Sequence, residues 1–141
     1  KEKFIPVIID RILNKKKIPI YGNGKQKREW IFVDDFVAGI EFIIFKKLYN
    51  DRFLIGSGLR FENKKLAQKI KKIFQKKFNF KTQKIILTRV KDRPGHDKEY
   101  KIDSKKIRSL GWRPNINMDE GLYKTIKFYK GKAINIWKQF Y

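Results

Sequence analysis

The run Asp92-Arg93-Pro94-Gly95-His96-Asp97 sets two acids, a fork-shaped cation and a proton-switchable ring around two residues that shape the backbone. Proline fixes φ and removes a donor, while glycine opens conformations closed to other residues. A loop built this way holds Arg93 and His96 in set directions. A guanidinium can grip a phosphate with two parallel hydrogen bonds, so the run reads as a binding site for a small phosphorylated ligand. The plainer reading is a tight surface turn with solvated charges. Arg28 is the second candidate, anchored between the Gly22-Asn23-Gly24 turn and the apolar stretch from Trp30 to Val33. Two arginines converging on a diphosphate would neutralise both phosphates.

Groups able to do catalysis are scarcer. His96 is the single histidine and there is no cysteine, so a thiolate nucleophile, a thiolate metal site and a His-rich metal site are all excluded. Asp34 and Asp35 form a pair of acids, but capping and the dipole at the start of a helix explain them better. Gly22-Asn23-Gly24 and Gly56-Ser57-Gly58 are too short for a phosphate-binding loop, and no helix follows at the right spacing. Tyr123 and Lys127 have a helical spacing that packing on a C-terminal helix explains.

The elements that must position these residues follow from periodicity. Apolar positions from Phe4 to Leu13 predict a helix, ended by Asn14–Lys17 and barred by Pro19 from resuming. Ile18–Tyr21 is a short extended piece. Trp30–Val33 reads as a buried strand, followed by a helix through Phe45 with Asp34 and Asp35 as its cap and N-terminal charge. Phe53–Ile55 is a β-rich run closed by the Gly56–Gly58 turn. Leu66, Ala67, Ile70, Ile73, Phe74 and Phe78 share one helical face, with Lys65, Lys69, Lys72 and Lys76 on the other. Ile85–Val90 is a strand that delivers the chain into the 92–97 loop, and Tyr100–Ile102 is another. Asp103 or Ser104 caps a short helix through Leu110, with Gly111 as its stop. Asp119–Tyr129 is the last helix, with Leu122, Ile126 and Tyr129 inward. Alternating strands and helices place the chain in the α/β or α+β class.

The net charge of +22 points toward an anionic partner. Against nucleic acid, the lysines are spread over the whole chain, Lys greatly outnumbers Arg, and an AT-rich genome would give the same Lys, Ile, Asn, Phe and Tyr bias. A basic nucleic-acid-binding module is therefore the alternative from another class, not the main reading. No apolar run is long enough to span a bilayer and no signal peptide is evident, so a cytoplasmic protein is expected. The chain opens on Lys1 rather than Met, which suggests a piece of a longer protein.

The same residues carry a family resemblance. Pro19-Ile20-Tyr21-Gly22-Asn23-Gly24 and Arg28-Glu29-Trp30-Ile31-Phe32-Val33-Asp34-Asp35 resemble the middle of the nucleotide-sugar 4,6-dehydratases, in the extended short-chain dehydrogenase/reductase superfamily. The Asp92–Asp97 run, then Tyr100, Ile102-Asp103, Ser104-Lys105 and Leu110-Gly111-Trp112-Arg113-Pro114, is similar to the C-terminal part of the dTDP-glucose branch of that family.

The resemblance implies the C-terminal fragment of an extended Rossmann-type α/β enzyme. It would comprise mostly the smaller α+β substrate-binding domain with the last elements of the nucleotide-binding sheet. The NAD-binding half and its catalytic residues are absent from these residues. Lys3 and Phe4 would line a sugar-nucleotide site, and Pro19, Ile20 and Tyr21 would lie along base and ribose. Arg28 and Arg93 would hold the diphosphate, while Asp92, Pro94, Gly95 and His96 complete the site. The partner would be a dTDP-sugar, the cofactor NAD bound by the other half, and the complete enzyme a homodimer. A UDP- or GDP-sugar epimerase or dehydratase of the same superfamily is the second expectation. One departure bears on it: Leu59 and Arg60 stand where the family usually carries Asn-Glu, whose Asn touches the nucleotide.

Overall fold

A computed structural model describes residues 3–132 except Gln83, Arg93 and His96. Two of the expected site residues, Arg93 and His96, thus lie outside the described residues.

The apolar face of Phe4–Leu13 forms helix α1, with Ile8, Ile9 and Ile12 buried. Strand β1 (Ile18–Tyr21) follows, alternating buried and half-buried positions. After the glycine turn comes strand β2 (Lys27–Glu29), then helix α2 (Val33–Phe45). Strand β3 (Arg60–Glu62) runs into helix α3 (Asn63–Phe78). Strand β4 (Leu87–Val90), short helix α4 (Lys105–Ser109) and helix α5 (Met118–Lys132) complete the described order. The mixed α/β class is as expected.

The core lies where α1, α3 and α5 close on the β1–β4 pair, around Ile8, Ile12, Ile18, Ile70, Phe74 and Ile126. Leu66, Ile70 and Phe74 of α3 are completely buried, and burying each stabilises the fold by about 1.5–3 kcal/mol. The lysine face of α3 is a solvated face with a local pair, Lys65 to Glu62 at 3.3 Å, and a pair to α5, Lys69 to Asp119 at 2.8 Å.

Two small sheets frame the site. β1 and β4 run parallel, from Ile18 opposite Leu87 to Tyr21 opposite Val90. β2 and β3 are antiparallel, with Arg28 opposite Phe61. The other edge of β2 meets residues 98–100 through Lys27 N–H to the Lys98 carbonyl (2.8 Å) and Tyr100 N–H to the Lys27 carbonyl (3.2 Å).

Four expectations are corrected. Trp30–Val33 is not a strand: the ladder residues are Lys27–Glu29, and Val33 already opens α2. Trp30 N–H still donates to the Leu59 carbonyl at 3.0 Å beyond the ladder, and its ring packs against Phe4 at 6.3 Å between centroids. Phe53–Ile55 is not a strand either, because β3 is the segment that pairs with β2. Tyr100–Ile102 contributes no strand; the contact is a single bridge, Lys27 with Glu99. Asp34 and Asp35 do not cap α2, since the N-cap position is Phe32 and no side-chain cap bond forms; both lie in the first turn. Asp35 is buried there and accepts from the backbone N–H groups of Asn115 (2.9 Å) and Ile116 (3.0 Å), which fixes the chain entering α5. Asn117 then caps α5 by accepting from Glu120 N–H at 3.0 Å.

Among the described residues, one apolar face of α2 is left uncovered. Phe36, Val37, Ile40 and Ile44 are exposed, and Phe45 is 83% exposed. Among the described residues no helix is long and apolar enough to cross a membrane.

Candidate functional site

Two parallel strands that end side by side deliver their following loops to one place, and β1 and β4 do so. Gly22, directly after β1, donates to the Val90 carbonyl at 2.9 Å. Its φ is +57°, and a Cβ there would stand 2.6 Å from an Asp92 carboxylate oxygen. Only glycine lets the two loops approach this closely. Gln26, itself buried, donates through Nε2 to Asp92 Oδ2 at 2.7 Å and to the Tyr21 carbonyl at 3.3 Å. The N-terminal end of the 92–97 loop is thus tied to the turn after β1.

The other end of that loop is tied to β2. Arg28 donates through Nη2 to the Asp97 carbonyl at 2.9 Å and through Nη1 to the Lys27 carbonyl at 2.8 Å. Its guanidinium lies over the Tyr100 ring, 4.1 Å from the centroid. The Tyr100 hydroxyl donates to Asp97 Oδ2 at 2.5 Å. That bond, more than the nearby negative charge, raises the tyrosine pKa above its ordinary value. Both Arg28 bonds leave N–H donors over, since the guanidinium carries five.

The remaining residues divide by strand alternation. Ile20 is 5% exposed and its side chain belongs to the core, so only its backbone is available to a ligand. Pro19 and Tyr21 point the opposite way and are half-buried. Pro94 and Gly95 form an exposed turn, with Gly95 at φ +68° and no atom within 4 Å of an added Cβ. Lys3 holds the N-cap position of α1, and Phe4 reaches the cluster through its contact with Trp30. Leu59 lines an apolar hollow with Ile5, Trp30, Phe32, Met118 and Leu122. Arg60, its neighbour, is ion-paired with Glu99.

Sequence reasoning missed Gln26, Asp97 and Tyr100 as site-builders. Nothing in their spacing marks Gln26. Asp97 and Tyr100 were legible only as parts of a motif, because their work depends on a strand bridge that local pattern does not show. It also missed Glu29, whose carboxylate accepts from Gly58 N–H (2.8 Å) and Ile102 N–H (3.1 Å) and so braces the far side of β2.

Chemically, the arrangement can bind and orient an anion. Among the described residues no group of His, Cys, Asp or Glu is placed to hold a metal ion.

The family model described as GDP-mannose 4,6 dehydratase matches residues 1–125. A dTDP-glucose 4,6-dehydratase of Haemophilus influenzae is 37% identical over 134 residues, 91% of this chain and 40% of the relative. A crystal structure of dTDP-glucose 4,6-dehydratase from Streptomyces venezuelae, with NAD bound, superposes with a TM-score of 0.77 at 31% identity, over 94% of this chain and 40% of that one. An epimerase from Methanothermobacter thermautotrophicus shares the fold, with a TM-score of 0.82 at 21% identity over 97% of this chain and 40% of that one. The chain spans about 40% of the length of the curated relatives it matches.

Proposed function

Since the chain belongs to the GDP-mannose 4,6 dehydratase family, we propose that it is the sugar-nucleotide-binding portion of a dehydratase acting on dTDP-glucose. The observation that carries this reading is the double anchoring of the 92–97 loop, by Gln26 at one end and Arg28 at the other, with Arg28 oriented by two backbone carbonyls and the Tyr100 ring. The naming of relatives as dTDP-glucose 4,6-dehydratases supports the choice of substrate.

In this reading Pro19 and Tyr21, with the backbone of Ile20, lie along base and ribose. Arg28 and Arg93 neutralise the diphosphate, Lys3 and Phe4 close the site from α1, and Asp92, Pro94, Gly95 and His96 complete the loop. These contacts hold the remote part of the substrate, and such binding energy can orient the reacting end.

The proposed net reaction is loss of water from dTDP-glucose to give dTDP-4-keto-6-deoxyglucose, for which NAD would supply the hydride-carrying chemistry. The described residues do not fit NAD: the Gly22–Gly24 turn leads into β2 and the Gly56–Gly58 turn into β3, so neither opens a helix that could receive a pyrophosphate. The cofactor is assigned to a half that these 141 residues do not include. The apolar face of α2 is its docking surface, and the complete enzyme is a cytoplasmic homodimer.

Calorimetric titration with dTDP, UDP and GDP at near-physiological salt tests the reading. Selective dTDP binding is expected. A preference for UDP or GDP would move the chain to an epimerase or dehydratase of another base. No binding by a chain shown to be folded by circular dichroism would overturn both. The 141 residues alone are expected to give no 4-keto product from dTDP-glucose and NAD.

A further inference from the structure

Arg28 is held by neutral acceptors. Its two hydrogen bonds go to the backbone carbonyls of Lys27 and Asp97, and its flat face rests on Tyr100. The Asp97 carboxylate takes the Tyr100 hydroxyl, while the Asp97 carbonyl takes Arg28. Among the described residues no carboxylate forms an ion pair with Arg28. Arg28 is thus oriented by carbonyls and a ring, which leaves its charge for an external anion.

Resting on the reading of Arg28 as a diphosphate ligand, we propose that Asp97 and Tyr100 are positioning residues, a rack that fixes the guanidinium in its phosphate-binding direction. The rack is a closed set of contacts. Asp97 holds Tyr100 through its carboxylate and Arg28 through its carbonyl, Tyr100 supports Arg28 through its ring, and the Tyr100 N–H is fixed to Lys27 beside Arg28 at 3.2 Å. A guanidinium on a long stem samples many rotamers when free, and pre-organisation removes that loss on binding. The stack leaves the guanidinium edges, where its N–H donors lie, toward a ligand.

The test uses the 141-residue chain with two readouts: the order of the Arg28 Nε–H by NMR relaxation, and the affinity for dTDP. In the unaltered chain the Arg28 Nε–H is expected to be as ordered as the backbone. Tyr100→Leu should free it and weaken dTDP binding about two- to fivefold, the worth of an exposed cation–π contact. Tyr100→Trp, which restores a ring without the hydroxyl bonded to Asp97, should recover both in part. Arg28→Ala should weaken dTDP by roughly tenfold or more, as loss of charged hydrogen bonds does. An Arg28→Ala variant that binds dTDP as well as the unaltered chain would defeat the diphosphate reading itself. A large Arg28→Ala loss, with Tyr100→Leu leaving Arg28 ordered and affinity unchanged, would defeat the rack alone. Because the NMR readout needs no ligand and Tyr100→Trp keeps the bulk of the site, neither weak binding nor misfolding of the leucine variant leaves the proposal undecided.

Discussion

Replacing Asp35 with alanine removes one buried carboxylate and strips two backbone N–H groups, those of Asn115 and Ile116, of their acceptors. A hydrogen bond to a charged group contributes about 1.5–3 kcal/mol. Both N–H groups are only part-buried, so water entering the vacated space recovers some of that loss, and the net cost is on the order of 3 kcal/mol. With a urea m-value of about 2 kcal/mol/M, the unfolding midpoint falls by about 1.5 M while m stays constant. Asp34→Ala, beside it in sequence but exposed, serves as the control and should move stability by no more than about 0.5 kcal/mol. Asp35→Asn keeps one acceptor but turns an NH2 toward a donor, so it should fall between the two. The assay is urea denaturation followed by circular dichroism. An Asp35→Ala midpoint matching that of Asp34→Ala would refute the claim that this carboxylate clamps the chain into α5.

The glycines offer a paired comparison by thermal melting. Gly24→Ala places a Cβ 2.6 Å from Ile20 Cγ2 and 2.8 Å from Lys64 Cβ at φ +73°, and should cost about 2–4 kcal/mol. Gly95→Ala keeps a similar φ with no atom near, and should cost only about 1 kcal/mol; equal losses would mean that crowding at Gly24 is relieved elsewhere. Phe74→Ala empties a fully buried position packed against Phe78 and Phe80, and should destabilise the chain by about 3–5 kcal/mol in denaturant titration. Tyr100, with its pKa raised by the hydrogen bond to Asp97, should titrate later than an ordinary tyrosine in absorbance at 295 nm. Since the folded pKa is the higher one, the stability from this contact is present below the unfolded value of about 10 and is lost as pH rises through the folded one. Identical titration curves for the unaltered chain and Asp97→Asn would exclude the bond as the cause.

Much of the helical structure was readable from local pattern. The spacing of Leu66, Ile70 and Phe74 defines a buried face of α3. The strands were harder, and for a physical reason. Trp30–Phe32 is more apolar than Lys27–Glu29, yet the latter forms β2 because pairing there is decided by two distant segments, Arg60–Glu62 and residues 98–100. Pattern within a window cannot report partners outside it. The same limit hid Asp35's real work, which is to hold residues eighty positions away rather than the helix it begins. At the site, Arg28 was legible from its flanking turn, whereas what orients it became visible only with Tyr100 overhead.

The parallel pair β1–β4 also governs how the chain must fold. Ile18 meets Leu87 across nearly seventy residues of intervening chain, and closing so long a loop comes before any reward from the contact. Helices α1 and α3 and the β2–β3 pair draw on closer neighbours and are free to form first. The ties from Gln26 to Asp92 and from Arg28 to Asp97 span similar separations, so they can arise only once that loop has closed. On the ribosome, residues 18–28 must therefore wait until some seventy more have been made before a ligand-ready geometry exists. Competence to bind is consequently a late event in the life of the chain, and a slow refolding phase should appear in ligand capture after the helical signal has returned.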